Sequence, residues 1–170
     1  NSSKSNTLHE GFEKTLHDLA DRSAKTILPF FRIKIDVDEK HGKGIYDPVT
    51  EADRGAEKVM RELIEERYAD HGIIGEEFPP HQPKASRQWI LDPIDGTRGF
   101  ISGTPTWGVL IALSDERGPF YGIIDQPYIG ERFEGAPDGA ILQGPHAQST
   151  LATLAPRDLA EAIAFTTFPE

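Results

Sequence analysis

Residues 89–97 read Trp-Ile-Leu-Asp-Pro-Ile-Asp-Gly-Thr. The apolar start is the pattern of a buried strand. It ends in Asp92 and Asp95, with Pro93 and Ile94 between them and Gly96 after. A chain that does this must bring a strand out of its core at a tight turn and place two like charges there. Two such charges about 4 Å apart repel by roughly 4 kcal/mol at an effective dielectric of 20. Nothing in the stretch neutralises them, so a divalent cation is the natural occupant of the gap. Gly96 and Thr97 then offer a small residue and a hydroxyl where a helix can begin, a place that suits phosphate. The segment reads as metal plus phosphate.

The periodicity around it defines a layered fold. Leu8, Phe12, Leu16, Leu19, Ile27 and Phe30 recur at helical spacing and predict a long amphipathic helix over 7–31, stopped or kinked near Pro29. Ile33, Ile35 and Val37 alternate with charged residues and predict a half-buried strand. A Gly- and Lys-containing loop follows over 41–47. Ala52, Ala56, Val59, Met60, Leu63, Ile64 and Tyr68 predict a second helix over 51–69. Strands are expected at 72–75, 88–91, 106–113, 120–125, 131–134 and 140–142, with a short helix near 96–101. Short turns between the later strands indicate antiparallel pairing. Helices first and strands later make an α/β protein of layered α+β type with a mixed sheet. Residues 162–167 read as one further strand that leads into a new element. On this reading 1–6 are disordered or a non-native remnant, 7–155 form one domain, and 156–170 begin a second α/β domain whose remainder is missing.

Bulk properties narrow the function. With 170 residues the chain can build one real core. The net charge of -10 argues against nucleic acid or an anionic membrane as the main partner. No apolar run approaches the roughly 18 residues of a membrane span. There is no cysteine, which excludes disulfides, thiolate zinc sites and Cys nucleophiles within this sequence and fits a cytoplasmic location. The six histidines show no metal-ligand pair at helical spacing. No Walker loop, dinucleotide fingerprint or nucleophile elbow is present.

Three acidic groups stand at the ends of apolar segments: Asp53, Glu76-Glu77, and Asp92 with Asp95. If they converge they form an all-oxygen site, which suits Mg²⁺ or Mn²⁺ rather than zinc. The Ile94 carbonyl is a further ligand candidate. Each piece also has a plain structural reading. Thr50-x-x-Asp53 fits a helix capping box. Glu76-Glu77 fits a solvated turn. Asp92 to Gly96 fits an Asx turn. Lys43, between Gly42 and Gly44, fits a surface loop.

The combination is more specific than its parts. Asp47-Pro-Val-Thr-Glu-Ala-Asp53, Gly75-Glu76-Glu77 and Trp89 to Thr97, in that order, resemble the inositol monophosphatase family. The resemblance implies an αβαβα sandwich and a Mg²⁺-dependent phosphomonoesterase with two or three ions, Mn²⁺ being a substitute. Residues 99–113, and Gly122-Ile-Ile-Asp-Gln-Pro127 with Gly130-Glu-Arg132, look like the histidinol-phosphate phosphatase branch. By the same resemblance Glu76, Asp92, Asp95 and the Ile94 carbonyl would be metal ligands. Asp53 and Thr97 would position or activate water, with Glu76 as part of the catalytic set. The Gly96 and Thr97 amides would hold phosphate. Glu77 would act from behind the ligands or hold a weak metal through water, and Lys43 would approach the site.

The family also carries a later Trp-Asp motif, absent here, whose Asp completes a second metal site. The expected partner is therefore a small phosphomonoester. The alternatives are an inositol phosphate or other small sugar or nucleotide phosphate as substrate, or a truncated, inactive relative that binds or regulates. Homodimers are common in the family, but no long apolar patch in the sequence marks an interface.

Overall fold

The computed structural model describes residues 2–33 and 48–164. Helix α1 spans Ser2–Ile27, followed by a 3-10 turn at Leu28–Phe30. Pro29 ends the α-helix as expected, because it lacks an N–H and clashes with the preceding turn. The helix starts at Ser2, earlier than residue 7. Helix α2 spans Pro48–Arg67. It opens on a proline, whose fixed φ suits a first turn and whose missing N–H costs nothing there. Thr50 is thus already inside the helix and is not its cap, which overturns the capping-box reading. The strand expected over 33–37 falls almost wholly outside the described residues, as do the 41–47 loop and Lys43. Ile33 itself is exposed and not in a strand.

Among the described residues one seven-stranded sheet follows, in sequential order: β1 (Gly72–Gly75), β2 (Gln88–Asp95), β3 (Gly108–Asp115), β4 (Gly118–Gln126), β5 (Glu131–Ala136), β6 (Gly139–Gln143) and β7 (Gln148–Leu151). Only β1 and β2 run parallel; every later pair is antiparallel. This is the mixed sheet the sequence predicts. Strand β7 was not expected. Gln-Ser-Thr-Leu shows no apolar alternation, and the strand owes its existence to the edge of β6 that it pairs with. Residues 152–164 carry only a short 3-10 turn at Leu159–Glu161, and 162–164 are not a strand.

The two faces of the sheet differ. Trp89, Leu91, Val109, Ile111, Leu113, Tyr121 and Ile123 face α1 and α2 and are buried with Phe12, Leu16, Leu19, Ala56, Met60 and Leu63. Registers Trp89↔Leu113, Leu91↔Ile111 and Ile111↔Ile123 stack these residues across strands. Trp89 is fully buried, and its indole N–H donates to His71 Nδ1 at 3.0 Å, so its polar edge is satisfied. The opposite face carries Ile74, Ile90 and Ile124, which are 41%, 38% and 49% exposed. The described residues thus form one helical layer on one face of a sheet. No helix among them is long and apolar enough to cross a membrane.

Candidate active site

Strands β1 and β2 are parallel; β1 ends at Gly75, beside Leu91, and β2 runs on to Asp95. That places Glu76 next to the last residues of β2. The segment Asp92 to Asp95 is not the tight turn read from the sequence. It continues β2 with a register shift: Asp92 pairs with Leu110 and Asp95 with Gly108. Three steps on β2 match two on β3, which is a β-bulge. Pro93, which has no N–H for the ladder, sits within it. Pro93 and Ile94 are both buried, while the acids on either side of them are not.

Asp92 is pushed up to about 6, first by burial and then by the charges of Glu76 and Asp95, with a smaller contribution from Glu57. Glu76 and Asp95 are therefore near enough to repel it. Asp92 Oδ1 is buried and has no hydrogen-bond partner. A buried carboxylate oxygen without a donor, surrounded by further carboxylates, is an unfavourable arrangement that a cation would relieve. The donor set is all oxygen and hard, so the residues fit Mg²⁺ or Mn²⁺.

Gly96 caps helix α3 (Thr97–Ser102) at φ 87°, a left-handed conformation that suits glycine. A Cβ there would lie 2.5 Å from the Thr106 carbonyl oxygen, so no other residue fits. Thr97 Oγ1 donates to the Ile94 carbonyl at 3.1 Å. The hydroxyl proton is thereby committed, and the oxygen's lone pairs remain to accept one. The Ile94 carbonyl keeps a second lone pair for a ligand.

Asp53 is half-buried on α2, one turn before Glu57 on the same helical face. Glu57 is completely buried and went unread in the sequence. Its neighbours at helical spacing are Asp53, Arg54, Met60 and Arg61, mostly charged, so no apolar stripe marked it as buried. It accepts the Glu77 backbone N–H at 2.8 Å and Arg61 Nε at 2.7 Å. The Glu77 carboxylate turns instead toward Arg54, at 3.8 Å.

A second polar cluster lies beneath α1. Glu13, His17 and Glu134 place ligand-type atoms within 4.8 Å of one another. However, Arg132 Nη1 lies 2.9 Å from His17 Nδ1, and a guanidinium can only donate. His17 then donates from Nε2 to Glu134, at 2.9 Å. A fixed cation already serves this cluster. Arg132 also pairs with Asp125 and Asp21, each at 2.8 Å. Asp125 and Arg132, both within the branch-like motif, are thus internal ion-pair partners.

The model of the inositol monophosphatase family matches residues 9–169. A histidinol-phosphatase from Chlorobaculum parvum is 41% identical over 133 residues, which make up 77% of this chain and 50% of that protein. An inositol monophosphatase from Mesembryanthemum crystallinum is 33% identical over 138 residues, 78% of this chain and 50% of the relative. A solved inositol monophosphatase from Zymomonas mobilis superposes with a TM-score of 0.70 at 44% identity, over 80% of this chain and 51% of that one. The chain spans about half the length of the relatives it matches. With its acidic motifs in family order on the family's mixed sheet, the chain belongs to the inositol monophosphatase family.

Proposed function

We propose that this chain contributes the metal-binding half of a Mg²⁺-dependent phosphomonoesterase. The observation that carries the reading is Asp92: half-buried, with its Oδ1 buried and without a partner, and crowded by Glu76 and Asp95. These three carboxylates and the Ile94 carbonyl would hold the metal. A divalent ion there supplies charge neutralisation at phosphate and a more acidic bound water. Thr97, its proton held by Ile94, accepts a hydrogen bond from the attacking water and so orients it. Asp53 acts as the base toward the same water. The amides of Gly96 and Thr97 hold the phosphoryl oxygens. The rate enhancement then comes from positioning and charge, with no covalent phosphoenzyme. Lys43 would approach from its loop, and Glu77 would act from behind the ligands.

Histidinol phosphate is the substrate we favour. The branch-like stretch 99–113 and the 41% identity to a histidinol-phosphatase support it. Inositol monophosphate is the second reading, supported by the Mesembryanthemum relative and the Zymomonas structure. A cytoplasmic, homodimeric enzyme fits either reading. A panel of phosphomonoesters assayed with Mg²⁺ on the full-length polypeptide decides. Histidinol phosphate turned over at least about tenfold better than inositol 1-phosphate supports the first reading, since a site built around a specific polar group discriminates strongly. The reverse order supports the second. No metal-dependent hydrolysis of any member overturns both in favour of a binding or regulatory role.

A further inference from the structure

Glu57 is a carboxylate with no exposed surface, in the middle of α2, and the chemistry above makes no use of it. Burying a charge is costly unless it is paired and hydrogen-bonded. Glu57 is both: Oε1 accepts from Arg61 Nε at 2.7 Å and Oε2 from the Glu77 N–H at 2.8 Å. The chain leaving β1 is fastened to α2 at several further points. Arg61 Nη2 donates to the Phe78 carbonyl at 3.1 Å, and Arg54 Nη1 to the Glu77 carbonyl at 3.2 Å. The Phe78 ring lies beneath both guanidiniums, 4.6 Å from Arg54 and 5.6 Å from Arg61. Gly75 makes room for the carboxylate, since a Cβ there would lie 2.2 Å from Glu57 Oε1.

These tethers bracket Glu76. Gly75 precedes it against Glu57, and Glu77 follows it on a hydrogen bond to the same carboxylate. We propose that Glu57 is a positioning residue, whose Arg61-locked carboxylate fixes the Gly75–Glu77 corner so that Glu76 is held against Asp92 for divalent-metal binding. A buried ion pair is a weak route to stability, because apolar residues of similar volume would serve as well. Its use here is directional: one oxygen is locked by the guanidinium and the other is aimed at the amide next to a ligand. This inference rests on the metal-site part of the proposed function.

Two variants of the full-length polypeptide test it. Glu57→Gln keeps the volume but loses the charge facing Arg61. Gly75→Ala leaves every charge in place and displaces the Glu57 carboxylate sterically. Mn²⁺ affinity is read by electron paramagnetic resonance without substrate, beside circular dichroism. Both variants should bind Mn²⁺ about tenfold or more weakly than wild type, the usual size of an effect from behind the ligands. Activity lost at low Mg²⁺ should return at high Mg²⁺. Folded variants with wild-type Mn²⁺ affinity overturn the proposal, as does lost activity that added Mg²⁺ does not restore. If Glu57→Gln does not fold, Gly75→Ala carries the test. A wild type that binds Mn²⁺ but hydrolyses no phosphomonoester overturns the proposed reaction and leaves this comparison to be decided by Mn²⁺ affinity alone.

Discussion

Asp92 and Asp95 share one face of β2 although they are three residues apart. Asp92 pairs with Leu110 and Asp95 with Gly108, and those partners lie two apart on β3, hence on one face. In a regular strand residues three apart point to opposite faces. The bulge at Pro93–Ile94 absorbs the odd residue and brings both acids to the face away from α1 and α2. Without it, one carboxylate would be driven into the core beside Leu91. Glu76 directly follows the end of β1, two residues after the exposed Ile74. The common face of Asp92 and Asp95 follows from backbone geometry.

Loss of one of these acids should stop the reaction without unfolding the protein. Asp95→Asn should lower kcat/KM by about two orders of magnitude or more at ordinary Mg²⁺, the scale of losing a charge-stabilising group. Circular dichroism should match wild type, since Asp95 is exposed at a strand end. Wild-type turnover would remove Asp95 from the site.

Asp92 gives metal-free protein a signature in pH. Its folded value of about 6 lies above the ordinary 3.8. Between those values the folded state keeps a proton that the unfolded state has lost. Stability from this group is therefore present at low pH and falls as pH rises from about 4 to about 6. Asn at position 92 has no such dependence. In EDTA, the Tm of Asp92→Asn relative to wild type should rise across that window, and Mg²⁺ at neutral pH should stabilise wild type more than the variant. A Tm difference that stays flat with pH would show that Asp92 is not held in this environment.

Gly96→Ala should be costly for two reasons that act together. The backbone is left-handed, and the added methyl would meet the Thr106 carbonyl oxygen at 2.5 Å. A destabilisation of about 1–3 kcal/mol in urea unfolding is expected from backbone strain of this kind. An unchanged midpoint would mean that the turn rearranges freely.

The branch-like residues Asp125 and Arg132 should govern stability. Arg132 bridges Asp125, Asp21 and His17, and Asp125 is only 4% exposed. Arg132→Met leaves that carboxylate buried without its cation, which typically costs about 3–5 kcal/mol. The pairing of Asp125→Asn with Arg132→Met should recover part of the loss. If Arg132→Met instead raises KM with no change in Tm, Arg132 contacts substrate.

Much of the fold was legible in residue patterns. The helix period located α1 and α2, and short apolar runs between turns located β1 to β6, because both signals are local. Strand β7 was not legible, since its polar residues carry no pattern and its partner supplies the reason for it to be extended. The candidate acids were legible as types in order. The bulge beneath them was not, because Asp-Pro-Ile-Asp-Gly suits a turn equally well and only the register with β3 distinguishes the two. Glu57 looked like one more helix acid until its burial placed it against the Glu77 amide.

The sequence by itself determined which oxygen donors exist, the order in which they come along the chain, and where glycine and proline permit sharp changes of direction. These are covalent and near-neighbour properties. Only the tertiary structure decided which donors act on one another: Glu76 on Asp92, Asp95 across a bulge, and Glu57 on an amide twenty residues away. Burial and charge coupling depend on distances between segments that the chain alone does not fix. Packing α2 against β1 and β2 is what sets those distances.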